Sequence, residues 1–178
     1  KNSIYLAVFE IGNEELAKSL VNAKKRGINV KVITDEQNSD YKALKQIIEN
    51  NIEVVFQNEA SYMHHKFAVI DSEIVITGSM NWTNNDIFLN DNNVLIIRSK
   101  LLANNYLKEF EQMFKYKKFS RRKEKIGNNI ITIDGLRIEN YFSPQDKPSR
   151  RIIEIINNSK KTIDFMAFSF THDRIAKA

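Results

Sequence analysis

Two short apolar runs, Phe67 to Ile70 and Ile74 to Ile76, are separated only by Asp71-Ser72-Glu73. His64-His65-Lys66 precedes the first run, and Gly78-Ser79-Met80-Asn81 follows the second. Apolar runs of this length bounded by turn residues are strands, and so short a connection makes them an antiparallel hairpin. The strand ends away from the turn lie side by side, so the hairpin brings its two polar flanks together.

The surrounding segments have an α/β pattern. A strand is predicted at Ile4 to Ile11 and a helix at Asn13 to Arg26, with Leu16, Leu20 and Ala23 on one stripe; Ile28 to Thr34 follows as a second strand. Asn13 stands at the N-cap and Gly27 at the C′ stop, completing a βαβ unit. A helix follows at Tyr41 to Asn50, then a strand at Ile52 to Phe56 and a polar loop to Tyr62. After the hairpin come an Asn-rich loop from Asn81 to Asn92, a strand at Val94 to Ile97, and a helix from the cap Ser99 to about Tyr116. Asp134-Gly135, between Ile130 to Ile133 and Leu136 to Tyr141, signals a second hairpin, and a helix is predicted at Ser149 to Asn158.

The C-terminal KKTIDFMAFSFTHDRIAKA repeats the hydrophobic pattern of SIYLAVFEIGNEELAKS, placing Thr162 over Ser3, Phe168 over Phe9 and Ala176 over Ala17, an offset of 159 residues. Either two strand-helix segments merely look alike, or the chain holds two similar lobes, the first lacking only its opening helix and the second cut off early. The repeat is the better reading. The chain starts directly before a strand and stops inside a helical pattern, so it reads as a piece of a longer protein and leaves the compartment open.

Composition narrows the class further. With 178 residues, 42% hydrophobic and 28% charged, the chain can bury a real core in one or two domains. No apolar run approaches the length of a membrane span, and the absence of cysteine removes disulfides and thiolate metal sites. The formal charge of +5 is local: residues 115–125 carry seven basic side chains against one Glu, a net +6, leaving −1 elsewhere.

The polar ends of the first hairpin fit H-x-K-x4-D-x6-G-S-x-N at His64, Lys66, Asp71, Gly78, Ser79 and Asn81. Six identities at fixed spacing arise by chance in well under about one chain in ten thousand. On a strand, His64 and Lys66 share a face about 7 Å apart, and a phosphate fits beside both. Ser79 and Asn81 return past the same end as hydrogen-bond donors, and Gly78 allows close backbone approach. Lys66 supplies fixed positive charge for the oxygens of a phosphoryl transition state. His64, as a neutral imidazole, is the one group of the set able to attack phosphorus. Asp71 is seven positions from His64, faces the other way, and is assigned an orienting role. His65 also faces away and reads as a packed or surface histidine. Metal binding is the competing reading of such a cluster, but a charged lysine does not ligate and no second His or carboxylate sits at ligand spacing. A nucleotide-binding βαβ protein is unsupported, since no G-x-G-x-x-G occurs.

On these residues the chain closely resembles the phospholipase D superfamily, over nearly all of its length. The resemblance implies an α/β fold with a mixed sheet flanked by helices: a first lobe at residues 1–116, a basic linker at 117–128, and the start of a second lobe at 129–178. It also implies a cofactor-free, metal-independent site shared by two H-x-K motifs, with one histidine phosphorylated and the other acting as general acid and then base. The partner histidine would then lie near position 223, or in a second copy of the chain. His172 matches Asn13 at a helix start and is expected to cap locally. Trp82-Thr83 also looks like the family, whereas Asn92 stands where nuclease-like members usually carry Glu. An amide there cannot stabilise an imidazolium by charge, so lower activity is expected unless Asp91 substitutes.

The motif recognises a phosphodiester and leaves its flanks open. The basic stretch, with Tyr116 and Phe119 interleaved, suits a nucleic-acid backbone, although a solvated helix end and linker explains it as well. It could also sit on anionic lipid headgroups, but no amphipathic insertion helix accompanies it. A nuclease-type phosphodiesterase acting on DNA or RNA is the favoured reading. Phospholipase D or cardiolipin-synthase-type chemistry comes second, and a degenerate phosphate- or protein-binding module third.

Overall fold

The computed structural model describes residues 2–58 and 60–178. Strand β1 (Ser3–Val8), helix α1 (Glu14–Lys25) and strand β2 (Asn29–Asp35) form the expected βαβ unit, with β1 and β2 parallel. The Asn13 side chain accepts from Leu16 N at 2.8 Å, and Gly27 takes φ +85° just past the helix, so both predicted helix signals operate. Helix α2 (Lys42–Glu49) leads into β3 (Glu53–Gln57), which pairs parallel to β2.

The hairpin β4 (Lys66–Ile70) and β5 (Ile74–Gly78) continues the sheet on the other side of β1, antiparallel throughout, and β6 (Val94–Arg98) closes that edge. The sheet is mixed and six-stranded, in the order β3-β2-β1-β4-β5-β6. Alternation along its strands divides the core in two. Leu6, Val8, Val32 and Ala68 pack with Leu20, Leu44 and Ile47 of α1 and α2. Ala7, Ile33, Phe67 and Val69 pack on the opposite face with Leu102, Phe110 and Met113 of α4 (Lys100–Phe114).

Three findings differ from the sequence reading. The predicted strand Ile4 to Ile11 leaves the sheet after Val8 and turns toward residue 82, where Gly12 N and Asn13 N both donate to Trp82 O at 2.8 Å. The Asn-rich loop contains a short helix, α3 (Asn84–Phe88), capped by Thr83, whose hydroxyl accepts from Asp86 N at 3.2 Å. The 117–128 stretch, expected as a linker, packs on the lobe, with Phe119, Lys123 and Ile126 buried. Phe119 is therefore unavailable to stack on a base, while Tyr116 remains exposed.

The second hairpin forms as predicted, from β7 (Ile130–Ile133) and β8 (Leu136–Glu139), with positive φ at Asp134 and Gly135. Helix α5 (Pro148–Asn157) follows. His172 caps α6 (Asp173–Lys177), its Nδ1 accepting from Ile175 N at 3.4 Å. Residues 161–172, which repeat the β1 pattern, form no strand, and Phe165, Met166 and Phe168 are exposed.

Candidate active site

The carboxyl ends of β1, β2 and β3, the start of β4, the end of β5 and the start of β6 all fall at one edge of the sheet. This is where open α/β sheets place ligands. Phe9 N donates to His65 O at 2.9 Å, which extends the β1–β4 pairing back through the histidines. Lys66 has the same strand parity as Ala68 and so lies on the α1/α2 face. Its Nζ lies 3.4 Å from both ring nitrogens of His64 and 3.2 Å from His64 O. His64 and Lys66 are thus brought together as the spacing requires. Beneath them, Phe9 packs against the His64 ring at 4.8 Å between centroids, and Lys66 Nζ lies 5.4 Å above the Phe9 ring.

Withdrawal of the His64 ring from water lowers its pKa below the ordinary 6.5; the positive charge of Lys66 and His65 acts in the same direction, and only Asp35 opposes them. Asp35 also anchors the approach to His64, because its Oδ2 accepts from Met63 N at 2.9 Å. Burial lowers Lys66 too, against the pull of Asp86 and Glu10.

The second polar flank arrives beside them. Gly78 has φ +153°, and a Cβ there would lie 2.1 Å from Asn93 O, so only glycine lets β5 and β6 approach this closely. The Ser79 hydroxyl donates to Asn92 Oδ1 at 2.8 Å and accepts from Asn93 N at 3.0 Å. Asn81 N donates to Asp86 Oδ2 at 3.1 Å, while Asn81 Oδ1 is buried without a protein partner. Both residues reach the cleft, but Ser79 spends its proton on Asn92, so donation to a phosphoryl oxygen requires that bond to swing over.

Asp71 does not join them. It lies in the β4–β5 turn at the far end of the hairpin, where its Oδ1 accepts from Ser3 N at 2.8 Å and its own N donates to Ser3 O at 2.9 Å. With seven residues of extended chain between it and His64, roughly 23 Å, its contact is with the start of β1 and not with the histidine. The orienting role assigned from sequence is therefore corrected to a clamp between the hairpin and β1.

His65 points to the α4 face, as expected of a packed histidine, and carries a partner that the sequence did not reveal. Its Nε2 lies 2.8 Å from Oε1 of the fully buried Glu109. Lys123 Nζ also bonds that oxygen, and Gln145 Nε2 donates to Glu109 Oε2 at 2.7 Å.

Two acids at the cleft were also missed. Glu10, just beyond β1, and Asp86, on α3, line it together with His64, Lys66 and Tyr41. Asp91, considered as a substitute acid, also lines the cleft, with its side chain exposed. Burial raises Glu10, and the nearby Asp86 raises it further. Burial would raise Asp86 as well, but amide donors from Asn90, Asn81 and Asn92 outweigh it and hold the carboxyl low. No sequence signal separates these acids from the other carboxylates, because neither belongs to the motif.

Residues 1–114 match the family described as cardiolipin synthase, PLD-like domain. The chain belongs to the phospholipase D superfamily. This superfamily member is 35% identical over 119 residues to the mitochondrial cardiolipin hydrolase of Mus musculus, a match covering 64% of this chain and 52% of that protein. It is 30% identical over 112 residues to a phospholipase D of Rickettsia prowazekii, covering 62% of this chain and 55% of that one. The superfamily member thus spans about half the length of the curated relatives it matches. Among solved structures, Nuc from Salmonella typhimurium, a phospholipase D family member, aligns with a TM-score of 0.60 and 27% identity over 64% of this chain and 78% of that one. Nuc shares the α/β fold found here.

Proposed function

We propose that this chain is the catalytic part of a metal-independent phosphodiesterase that works through a phosphohistidine at His64. The juxtaposition of His64 and Lys66, with Lys66 Nζ 3.4 Å from the ring nitrogens, carries the reading. His64, kept neutral, attacks phosphorus; a P–N bond forms as the P–O bond to the leaving alcohol breaks, and the leaving oxygen takes a proton from the second histidine of the pair. Water then attacks phosphorus while that histidine accepts its proton, the P–N bond breaks, and both imidazoles are restored. Lys66 stabilises the charge on the non-bridging oxygens in both steps.

Nucleic acid is the favoured substrate. The cleft rim is polar and amide-rich, with Asn84, Asn85, Asn90 and Asn93 beside Ser79, which suits a sugar-phosphate chain better than acyl tails. The phospholipid reading draws on Phe88 and Leu89, 70% and 78% exposed beside the same rim, and on the cardiolipin hydrolase and phospholipase D relatives. Turnover of a bis-nitrophenyl phosphodiester by the intact protein in excess EDTA, beside His64→Asn, tests the chemistry. The wild type is expected to turn over, and the variant to lose about 10⁴-fold or more. Turnover abolished by EDTA would rule the mechanism out. Cleavage of a single-stranded oligonucleotide but not of cardiolipin vesicles is the expected substrate outcome, and the reverse result would select the lipid reading.

A further inference from the structure

Asp86 holds the second polar flank together. Its Oδ2 accepts from Asn81 N at 3.1 Å, and its Oδ1 accepts from Asn90 Nδ2 at 2.8 Å and from Asn92 Nδ2 at 3.2 Å. Asn92 Nδ2 also reaches Asp86 O at 3.1 Å, and Asn92 Oδ1 in turn receives the Ser79 hydroxyl at 2.8 Å. One carboxylate therefore fixes Asn81 directly and Ser79 through a single amide. The Thr83 cap holds the start of the α3 turn, so the carboxylate itself has little freedom.

The same carboxylate lines one cleft with Lys66, His64 and Glu10, the charges of Asp86 and Glu10 both act on Lys66, and His65 acts from the opposite face of the sheet. Tyr41, at the cap of α2, lines the cleft with both acids. Lys66 must stay protonated in a partly dry cleft beside the His64 imidazole, and Asp86 is a fixed negative charge placed to keep it so.

We infer that Asp86 is a positioning residue of this site, ordering Asn81 and Ser79 for a phosphoryl group and balancing the charge of Lys66. The inference rests on the phosphodiester reading of the cleft, but Lys66 titrates whether or not the protein turns over. The test is therefore the titration of the Lys66 ε-methylene followed by NMR in the intact protein, with the signal assigned by Lys66→Arg, in the presence and absence of inorganic phosphate.

Asp86→Asn is expected to lower the Lys66 midpoint by about one pH unit, to weaken phosphate binding about fivefold, and Asp86→Glu to restore the midpoint. A midpoint that does not move in folded Asp86→Asn overturns the charge-balancing role. If Asp86→Asn does not fold, Asn92→Ala carries the test, because it cuts the link to Ser79 and leaves the charge in place. Weaker phosphate binding with an unchanged Lys66 midpoint then supports the inference, whereas unchanged binding, or tighter binding because the Ser79 proton is freed from Asn92, overturns it. Wild-type protein that binds no phosphate at all would count against the phosphodiester reading, while the Lys66 midpoints would still report on Asp86.

Discussion

His64 has to be neutral to attack phosphorus, and its surroundings favour that form: the ring packs against Phe9 and faces the charge of Lys66. With its pKa below the ordinary 6.5, the neutral fraction is already large at mildly acidic pH. The acid limb of kcat/KM for the free enzyme is therefore expected to have its midpoint below 6.5, and a midpoint above it would mean that His64 rests protonated and must lose its proton before it can attack. The histidine and the lysine were legible in sequence because strand parity is a local rule. The roles of Asp71 and Asp86 were not. Asp71 belongs to the motif by spacing, yet its neighbour in space is Ser3, a pairing set by how β4 docks on β1. Asp86 acts from a helix whose residues, Asn-Asn-Asp-Ile-Phe, have little intrinsic helical preference, so nothing local announced it.

At the scale of elements, the contact of α4 with β4 is the one whose chemistry matters most. Helix and strand boundaries were readable within a few residues from caps and apolar periods, but the burial of Lys123 was not, since a stretch with seven basic residues among eleven looks solvated. Glu109, which burial alone would push up, is held below the ordinary carboxylate range by His65 and Lys123. A depressed carboxylate contributes stability above its unfolded pKa and loses it as pH falls through the folded value. Burial also lowers His65, despite Glu109 pulling the other way, so protonation favours the unfolded chain and stability declines as pH drops below about 6.5. Glu109→Gln is expected to cost about 3–5 kcal/mol, because it leaves the Lys123 charge buried without its partner. Adding Lys123→Met should recover most of that loss. Urea melts at pH 7.5 and 5.5 read both effects, and a single variant within about 0.5 kcal/mol of wild type would show that the pair holds nothing together.

Seen whole, and on the proposed mechanism, the molecule carries half of a two-histidine site. Its three histidines are His64, His65 and His172; the second is turned onto the α4 face and the third caps α6, which leaves His64 alone in the cleft. The repeat that suggested a second lobe is visible in the apolar pattern of residues 161–172, but a strand exists only by pairing, and no strand pairs with that run among the described residues. On the proposed mechanism, leaving-group protonation therefore needs a histidine from outside residues 1–178, and for this chain taken alone a second copy is the available source. The specific activity of the 178-residue chain is expected to follow its dimer fraction, measured by sedimentation at the assay concentration. Mixing it with an equal amount of His64→Asn chain makes the same claim sharper. If both histidines are required and the chains exchange freely, only wild-type pairs turn over, and activity per wild-type chain falls to about half. Activity per wild-type chain that stays unchanged on mixing would place a complete site within one copy.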